Sequence, residues 1–156
     1  MDVIFDTNLV LDFVRGGKIS EDVIEKFELD THFSTIAISA VTIGEMYSLA
    51  LQRNWGQTKV QQFARALQNF LVIPVNSKDM FLAYSQIDAF SKGKLKNQPL
   101  PNSLSARNMG KNDLWIAAAA CVTNTTLITT DKDFTHLDKT FLKLEWVNIE
   151  TYRSIL

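Results

Sequence analysis

Short apolar runs alternate with helical stripes along this chain, and that alternation predicts its architecture. Val3 to Phe5 is an uninterrupted apolar run, which reads as a short buried strand. Asn8 to Val14 can continue as a helical turn until Gly16-Gly17 breaks it. Ser20 offers an N-cap for a helix carrying Val23, Ile24 and Phe27. A second strand is predicted over Ser34 to Ser39, with Ile36 and Ile38 on one face. Val41, Glu45 and Leu49 then recur one turn apart on the following helix. Trp55-Gly56 separates it from a helix striped by Val60, Phe63, Ala64, Leu67 and Leu71. Val72 to Val75 reads as a third strand, and Phe81, Tyr84, Ile87 and Phe90 mark the helix after it. A strongly apolar helix is expected over Asp113 to Val122, a fourth strand over Thr126 to Thr130, and a fifth over Leu144 to Ile149 at the sheet edge. Strands alternating with helices predict an α/β fold with a mainly parallel sheet of four to five strands. The 156 residues show no internal repeat or interdomain linker, so residues 1–156 are expected to form a single domain.

One stretch breaks the pattern. Ser91 to Lys111 holds two of the three prolines, two glycines and many Asn and Ser residues, and reads as a long surface loop. Between Ala89 and Asn112 there is no Asp or Glu, while Lys92, Lys94, Lys96, Arg107 and Lys111 all fall there. A chain of formal net charge −1 can therefore still present a local basic surface to a polyanion, although a solvated loop would carry the same lysines. No apolar run approaches the roughly 20 residues of a membrane span, and the start of the chain lacks the features of a signal peptide. Cys121 is the single cysteine, so no internal disulfide forms; it sits among alanines and reads as a buried small apolar residue. A cytoplasmic protein is expected.

The candidate chemistry is acidic. Asp6 and Asp131 each follow an apolar strand-like run, Asp113 opens an apolar helix, Glu45 interrupts the Val41/Leu49 stripe, and Asp133 lies two residues beyond Asp131. Each has an ordinary structural explanation. Asp6 suits an Asx-turn or N-cap, and Asp113 suits the positive end of a helix dipole. Glu45 can reach water from a helix edge, and Asp133 can cap the Phe134-Thr135-His136-Leu137 turn. Together they fall on one edge, because strand C-termini and helix N-termini share the same side of a parallel sheet. Carboxylates gathered there are costly to keep charged unless a cation neutralises them. Oxygen-only ligands favour Mg²⁺ or Mn²⁺. His32 and His136 are not spaced as a metal pair and read as non-catalytic.

These motifs carry a resemblance. Ile4-Phe5-Asp6-Thr7-Asn8, Ser39-Ala40-Val41-Thr42-Ile43-Gly44-Glu45, Asn112-Asp113-Leu114-Trp115-Ile116-Ala117-Ala118 and Thr129-Thr130-Asp131-Lys132-Asp133-Phe134 occur in the order of the PIN-domain ribonucleases. The chain most resembles the VapC-type toxins of type II toxin–antitoxin pairs. The resemblance implies a PIN-like three-layer α/β/α fold. It further implies that Asp6, Glu45, Asp113 and Asp131 surround one or two Mg²⁺ or Mn²⁺ ions, with Asp6 and Asp113 as primary ligands. Thr7, Asn8 and Thr130 would orient the carboxylates, and Asp133 would be a fifth acid. The implied reaction is hydrolysis of RNA by metal-activated water, in a homodimer blocked by a cognate antitoxin. The Ser91–Lys111 segment is longer than the connection in many small relatives; there Lys92, Lys94, Lys96, Arg107 and Lys111 are expected to guide the RNA backbone. The alternatives within the family are a non-toxin PIN nuclease of RNA processing and a catalytically inactive PIN module that binds RNA or protein. Outside it, a haloacid-dehalogenase-type phosphatase would need an acid where Asn8 stands, and a receiver domain would need an acceptor Asp directly after Val72–Val75, where Asn76 follows.

Overall fold

A computed structural model describes residues 2–31 and 34–153; His32 lies outside the described residues. The elements run β1 (Asp2–Phe5), α1 (Thr7–Val14), α2 (Lys18–Lys26), β2 (Thr35–Ser39), α3 (Ala40–Gln52), α4 (Gln57–Leu67) and β3 (Leu71–Ile73). After these come α5 (Lys78–Ser91), α6 (Lys111–Thr123), β4 (Thr126–Thr129), a 3-10 helix (Lys132–Leu137), β5 (Lys143–Trp146) and α7 (Glu150–Arg153). The five strands form one sheet in the order β3-β2-β1-β4-β5, and every pairing is parallel.

The central strands alternate their apolar side chains between two cores. Ile4, Ala37 and Leu127 face a cluster built with α5 and α6, including Ile87, Phe90, Leu114 and Ile116. Val3, Phe5, Ile38 and Ile128 face the opposite cluster, with Leu9, Met46 and Phe63 from α1, α3 and α4. A sheet buried on both faces needs apolar residues at both parities, which is why β1 reads as a continuous apolar run. The result is a three-layer α/β/α arrangement. β1 and β4 sit side by side, and the chain reverses direction across the sheet between them: β2 and β3 extend to one side, β5 to the other. Ligands of open α/β sheets bind beyond the strand C-termini at such a reversal.

Several boundaries differ from expectation, each for a local reason. Ser20 does not cap α2; Gly17 is the N-cap. The Ser20 amide instead donates to Asp12 Oδ2 at 2.7 Å and its hydroxyl donates to the Gly17 carbonyl, which ties the α1–α2 turn together. β3 begins at Leu71, not Val72, and ends before Pro74, which lacks an amide hydrogen for the ladder. Leu71 belongs to this edge strand and not to the α4 stripe; α4 stops at Leu67. β5 ends at Trp146, three residues earlier than expected, but does lie at the sheet edge.

The segment read as a loop is anchored at both ends. Ser91 completes α5 and is buried, and Lys111 already belongs to α6. The Arg107 amide donates to the Ser91 carbonyl at 2.8 Å, Met109 is buried, and Leu95 and Leu100 pack against the core. His136 is buried against Phe90, with Nε2 2.7 Å from Ser91 Oγ. Cys121 is half-buried, not fully buried, and burial pushes its thiol pKa up. Among the described residues no helix is long and apolar enough to cross a membrane.

Candidate active site

Asp6 stands one residue beyond β1, where its side chain does two things at once. Oδ1 accepts the Leu9 amide at 2.8 Å and so caps α1. Oδ2 accepts a short hydrogen bond from the Thr129 hydroxyl at the end of β4. Thr129 Oγ1 in turn accepts the Asp131 amide at 2.9 Å. One buried threonine therefore links the ends of the two central strands and fixes both aspartates relative to each other. The hydroxyl that holds Asp6 is that of Thr129, which the sequence alone does not single out; Thr130 acts on Asp6 through its backbone N–H. Thr42, buried in α3, lies 3.4 Å from the Thr7 hydroxyl and was not foreseen either.

The third acid is Glu45, on α3. Its carboxylate accepts a short hydrogen bond from the Thr7 hydroxyl. Asp113 lies in the first turn of α6, where exposed amides favour an acid. Asp131 is the N-cap of the 3-10 helix, accepting the Asp133 amide at 2.8 Å. Asp131, and not Asp133, therefore caps that turn.

Asp6, Glu45, Asp113 and Asp131 line one cavity of about 590 Å³, together with Thr7 and Asn8. Ser48 and Gln52, one and two turns further along α3, line it as well; Gln52 Nε2 donates to Ser48 Oγ at 2.9 Å. Their spacing from Glu45 on the same helix face is the sequence signal that could have found them. Asn8 makes no hydrogen bond to these carboxylates among the described residues. Asp133 is exposed and outside the cavity lining, though its charge reaches Asp113.

The electrostatics are those of crowded like charges in a poorly solvated place. Asp6 is 3% exposed, and burial raises its pKa from 3.8 to about 6. The Thr129, Leu9 and Thr130 hydrogen bonds pull the other way, and the Asp131 charge adds to the rise. Asp113 is also raised to about 6, first by burial and then by Asp131, Glu45, Asp6 and Asp133. Among the described residues, no three Asp, Glu, His or Cys side chains are gathered closely enough to hold a metal ion as they stand. The donor chemistry nevertheless fits a hard divalent cation: all-oxygen ligands, two of them destabilised as anions.

Of the basic residues, Lys92, Lys94 and Arg107 line a shared cavity with Ala106 and Asn108. Lys92 also pairs with Asp88 at 2.8 Å. Lys96 and Lys111 do not line that cavity, and none of the five lines the acidic one.

Residues 3–140 match the PIN domain family. The chain belongs to that family. PIN-domain structures at low identity share the fold over nearly the whole chain. VapBC2 from Rickettsia felis, bound to a DNA fragment from its promoter, aligns with a TM-score of 0.72 at 21% identity, covering 95% of this chain and 100% of its own. VapBC-1 from nontypeable Haemophilus influenzae gives 0.66 at 21%, covering 94% and 98%. VapBC-5 from Mycobacterium tuberculosis gives 0.60 at 21%, covering 94% and 98%. No curated protein sequence matches. The PIN fold thus holds with a five-stranded, all-parallel sheet between helical layers.

Proposed function

We propose that this PIN domain is a Mg²⁺- or Mn²⁺-dependent endoribonuclease and the toxin of a type II toxin–antitoxin pair. The observation that carries the reading is the cavity itself: acids from four separated segments, Asp6, Glu45, Asp113 and Asp131, line one cleft at the sheet reversal. A module that only binds RNA has no use for carboxylates that repel its ligand. Asp6 and Asp113 would be the primary ligands of the metal, with Glu45 and Asp131 completing the shell. Bound there, a divalent ion supplies Lewis acidity toward a phosphate oxygen and lowers the pKa of its water.

The chain's own residues do the rest. Thr129 fixes Asp6 against rotation and Thr7 fixes Glu45, so both carboxylates face the cavity at little further entropic cost. Glu45 accepts the proton of an attacking water. In the basic segment, Lys92, Lys94 and Arg107, which line one cavity, form the group that draws RNA in, with Lys96 and Lys111 as further cations of the same segment. A protein partner is supported by the neighbours, whose structures are toxin–antitoxin complexes. Exposed Phe81 and Leu82, beside half-buried Trp115, offer apolar surface for a second copy or an antitoxin. The test is expression of the chain alone in a bacterium, with RNA recovered and its ends mapped. Growth arrest with new 5′-phosphate ends, both lost in Asp6→Asn, is the expected result. Normal growth with abundant soluble wild-type protein removes the toxin role, and intact RNA with purified protein plus Mg²⁺ or Mn²⁺ removes the nuclease role.

Gly110 gives a gentler test of Asp113. A Cβ at Gly110 would stand 2.6 Å from Asp113 Oδ2, while its φ of −57° is open to any residue. Gly110→Ala must therefore push the carboxylate aside without straining the backbone. Cleavage is expected to fall by about 10- to 100-fold, the scale of an ångström-level misplacement, with the melting midpoint nearly unchanged. Full activity would mean that the position of Asp113 does not matter.

A further inference from the structure

A second cavity adjoins the acidic one. Asn8 and Asp131 line both, and the neighbour is completed by Thr130, Lys132, Trp146 and Asn148, among others. Two acids, Asp131 and Glu150, stand in that lining with one cation, Lys132, and one indole, Trp146. The Lys132 ammonium sits 5.0 Å from the centroid of the Trp146 ring, which brings a cation to the cavity immediately after Asp131 in the chain. Trp146 is half-buried, and its indole N–H donates to the Thr130 carbonyl at 3.3 Å. That bond locks the ring to the residue preceding Asp131, so ring and carboxylate share one rigid support. Asn148 Oδ1 accepts the Glu150 amide at 3.1 Å, which orients its NH₂ as a donor.

We propose that this cavity seats the nucleotide adjoining the scissile phosphate, with its base on Trp146 and its phosphate on Lys132. The proposal rests on the nuclease reading above. A strand crossing the acidic cleft must continue past its walls; this cavity shares two of them, and Lys132 is the cation there that offsets Asp131 and Glu150 beside a phosphate. An indole fixed by its N–H offers a stacking face to any base, but only to one that has left its own helix. The contact between Lys132 and the ring is at an exposed site, where cation–π attraction is weak, so the ammonium can exchange the ring for a phosphate. Asn8 and Asn148 present amides to a base edge. A blocking protein segment would meet the same ring and lysine, but cleavage requires RNA at this edge of the cleft, and the binding test below separates the two occupants.

The experiment uses full-length Asp113→Asn protein, so that nothing is cut, and a short fluorescein-labelled single-stranded RNA of mixed sequence, followed by anisotropy. Adding Trp146→Ala is expected to weaken binding by about 5- to 100-fold, the range for losing one stacked base, and Trp146→Phe to recover most of it. Lys132→Ala, at an exposed position that does not endanger folding, should weaken binding and reduce the log–log salt slope by roughly 0.7. The matching RNA duplex should bind more weakly and ignore Trp146. Unchanged affinity in both Trp146→Ala and Lys132→Ala, while the parent binds the RNA, overturns the proposal and leaves the nuclease reading intact. So does loss of binding to a co-purifying protein with RNA binding retained. Failure of the parent and of wild type to bind or cut any RNA overturns both.

Discussion

Asp6→Asn is expected to abolish RNA cleavage while making the metal-free protein more stable at neutral pH. The two effects have one origin. Asp6 is almost fully buried, and its pKa is raised to about 6 because its anion is poorly solvated there. Asparagine can keep the cap on the Leu9 amide through its carbonyl oxygen while losing the charge. The displacement from 3.8 to about 6 corresponds to about 3 kcal/mol at most near pH 7, less whatever the Thr129 contact loses. Activity should fall by at least roughly 10²- to 10³-fold, the scale for removing one preorganised charge-stabilising group. Asp113→Asn should act in the same direction on both readouts, with a smaller gain in stability because Asp113 is less buried. Chemical denaturation in the presence of a chelator, alongside a cleavage assay, tests both. Cleavage equal to wild type in either variant would remove that residue from the reaction. A loss of stability in Asp6→Asn would mean that the charge is compensated within the protein.

Divalent metal and pH should compete for the same carboxylates. Both Asp6 and Asp113 have folded pKa values near 6, above the ordinary 3.8. Raised carboxylate values stabilise the fold in the protonated state. That contribution is complete below about pH 4 and is lost as pH rises through about 6. Metal-free protein should therefore lose stability from these two groups between pH 4 and pH 7, on top of any opposing trend from other acids. Mg²⁺ needs the anions, so its stabilisation should be small at pH 5 and large at pH 7.5. At about 100 times its dissociation constant it would add about 2.7 kcal/mol, or roughly 5–10 °C in melting midpoint for a chain of this size. A Mg²⁺ shift that is the same at both pH values, or unaffected by Asp6→Asn and Asp113→Asn together, would place metal binding elsewhere.

Much of this was readable from residues alone, for identifiable reasons. β1 and β4 announce themselves because both faces of a central parallel strand are apolar. Asp6, Asp113 and Asp131 follow or open such elements, so strand and helix polarity alone put them on one edge. Glu45 was legible because it breaks an apolar stripe. What failed was parity and phase. Thr129 and Thr130 are adjacent on a strand end, and composition does not say which hydroxyl turns toward Asp6. Leu71 continues the four-residue step from Leu67, so a helical stripe and a strand start look alike until the chain turns through Asn69 and Phe70. The pairing of Lys132 with Trp146 depends on the separation of the 3-10 helix from β5 in space, which spacing along the chain does not encode.

The hydrogen bond from Thr129 to Asp6 spans 123 residues, and it joins the second strand-end of the site to the first. A ribosome making this chain at about 5–20 residues per second therefore completes Asp6 roughly 6–25 s before Thr129 exists. Throughout that interval β1 has no β4 beside it, and Asp6 lacks the hydroxyl that holds it. A nascent chain, or one cut short by a premature stop before β4, carries at most three of the four acids and no assembled centre. For a protein proposed to destroy RNA, the translating ribosome and its message are exposed to the finished cleft only once β4 and Asp131 have been made.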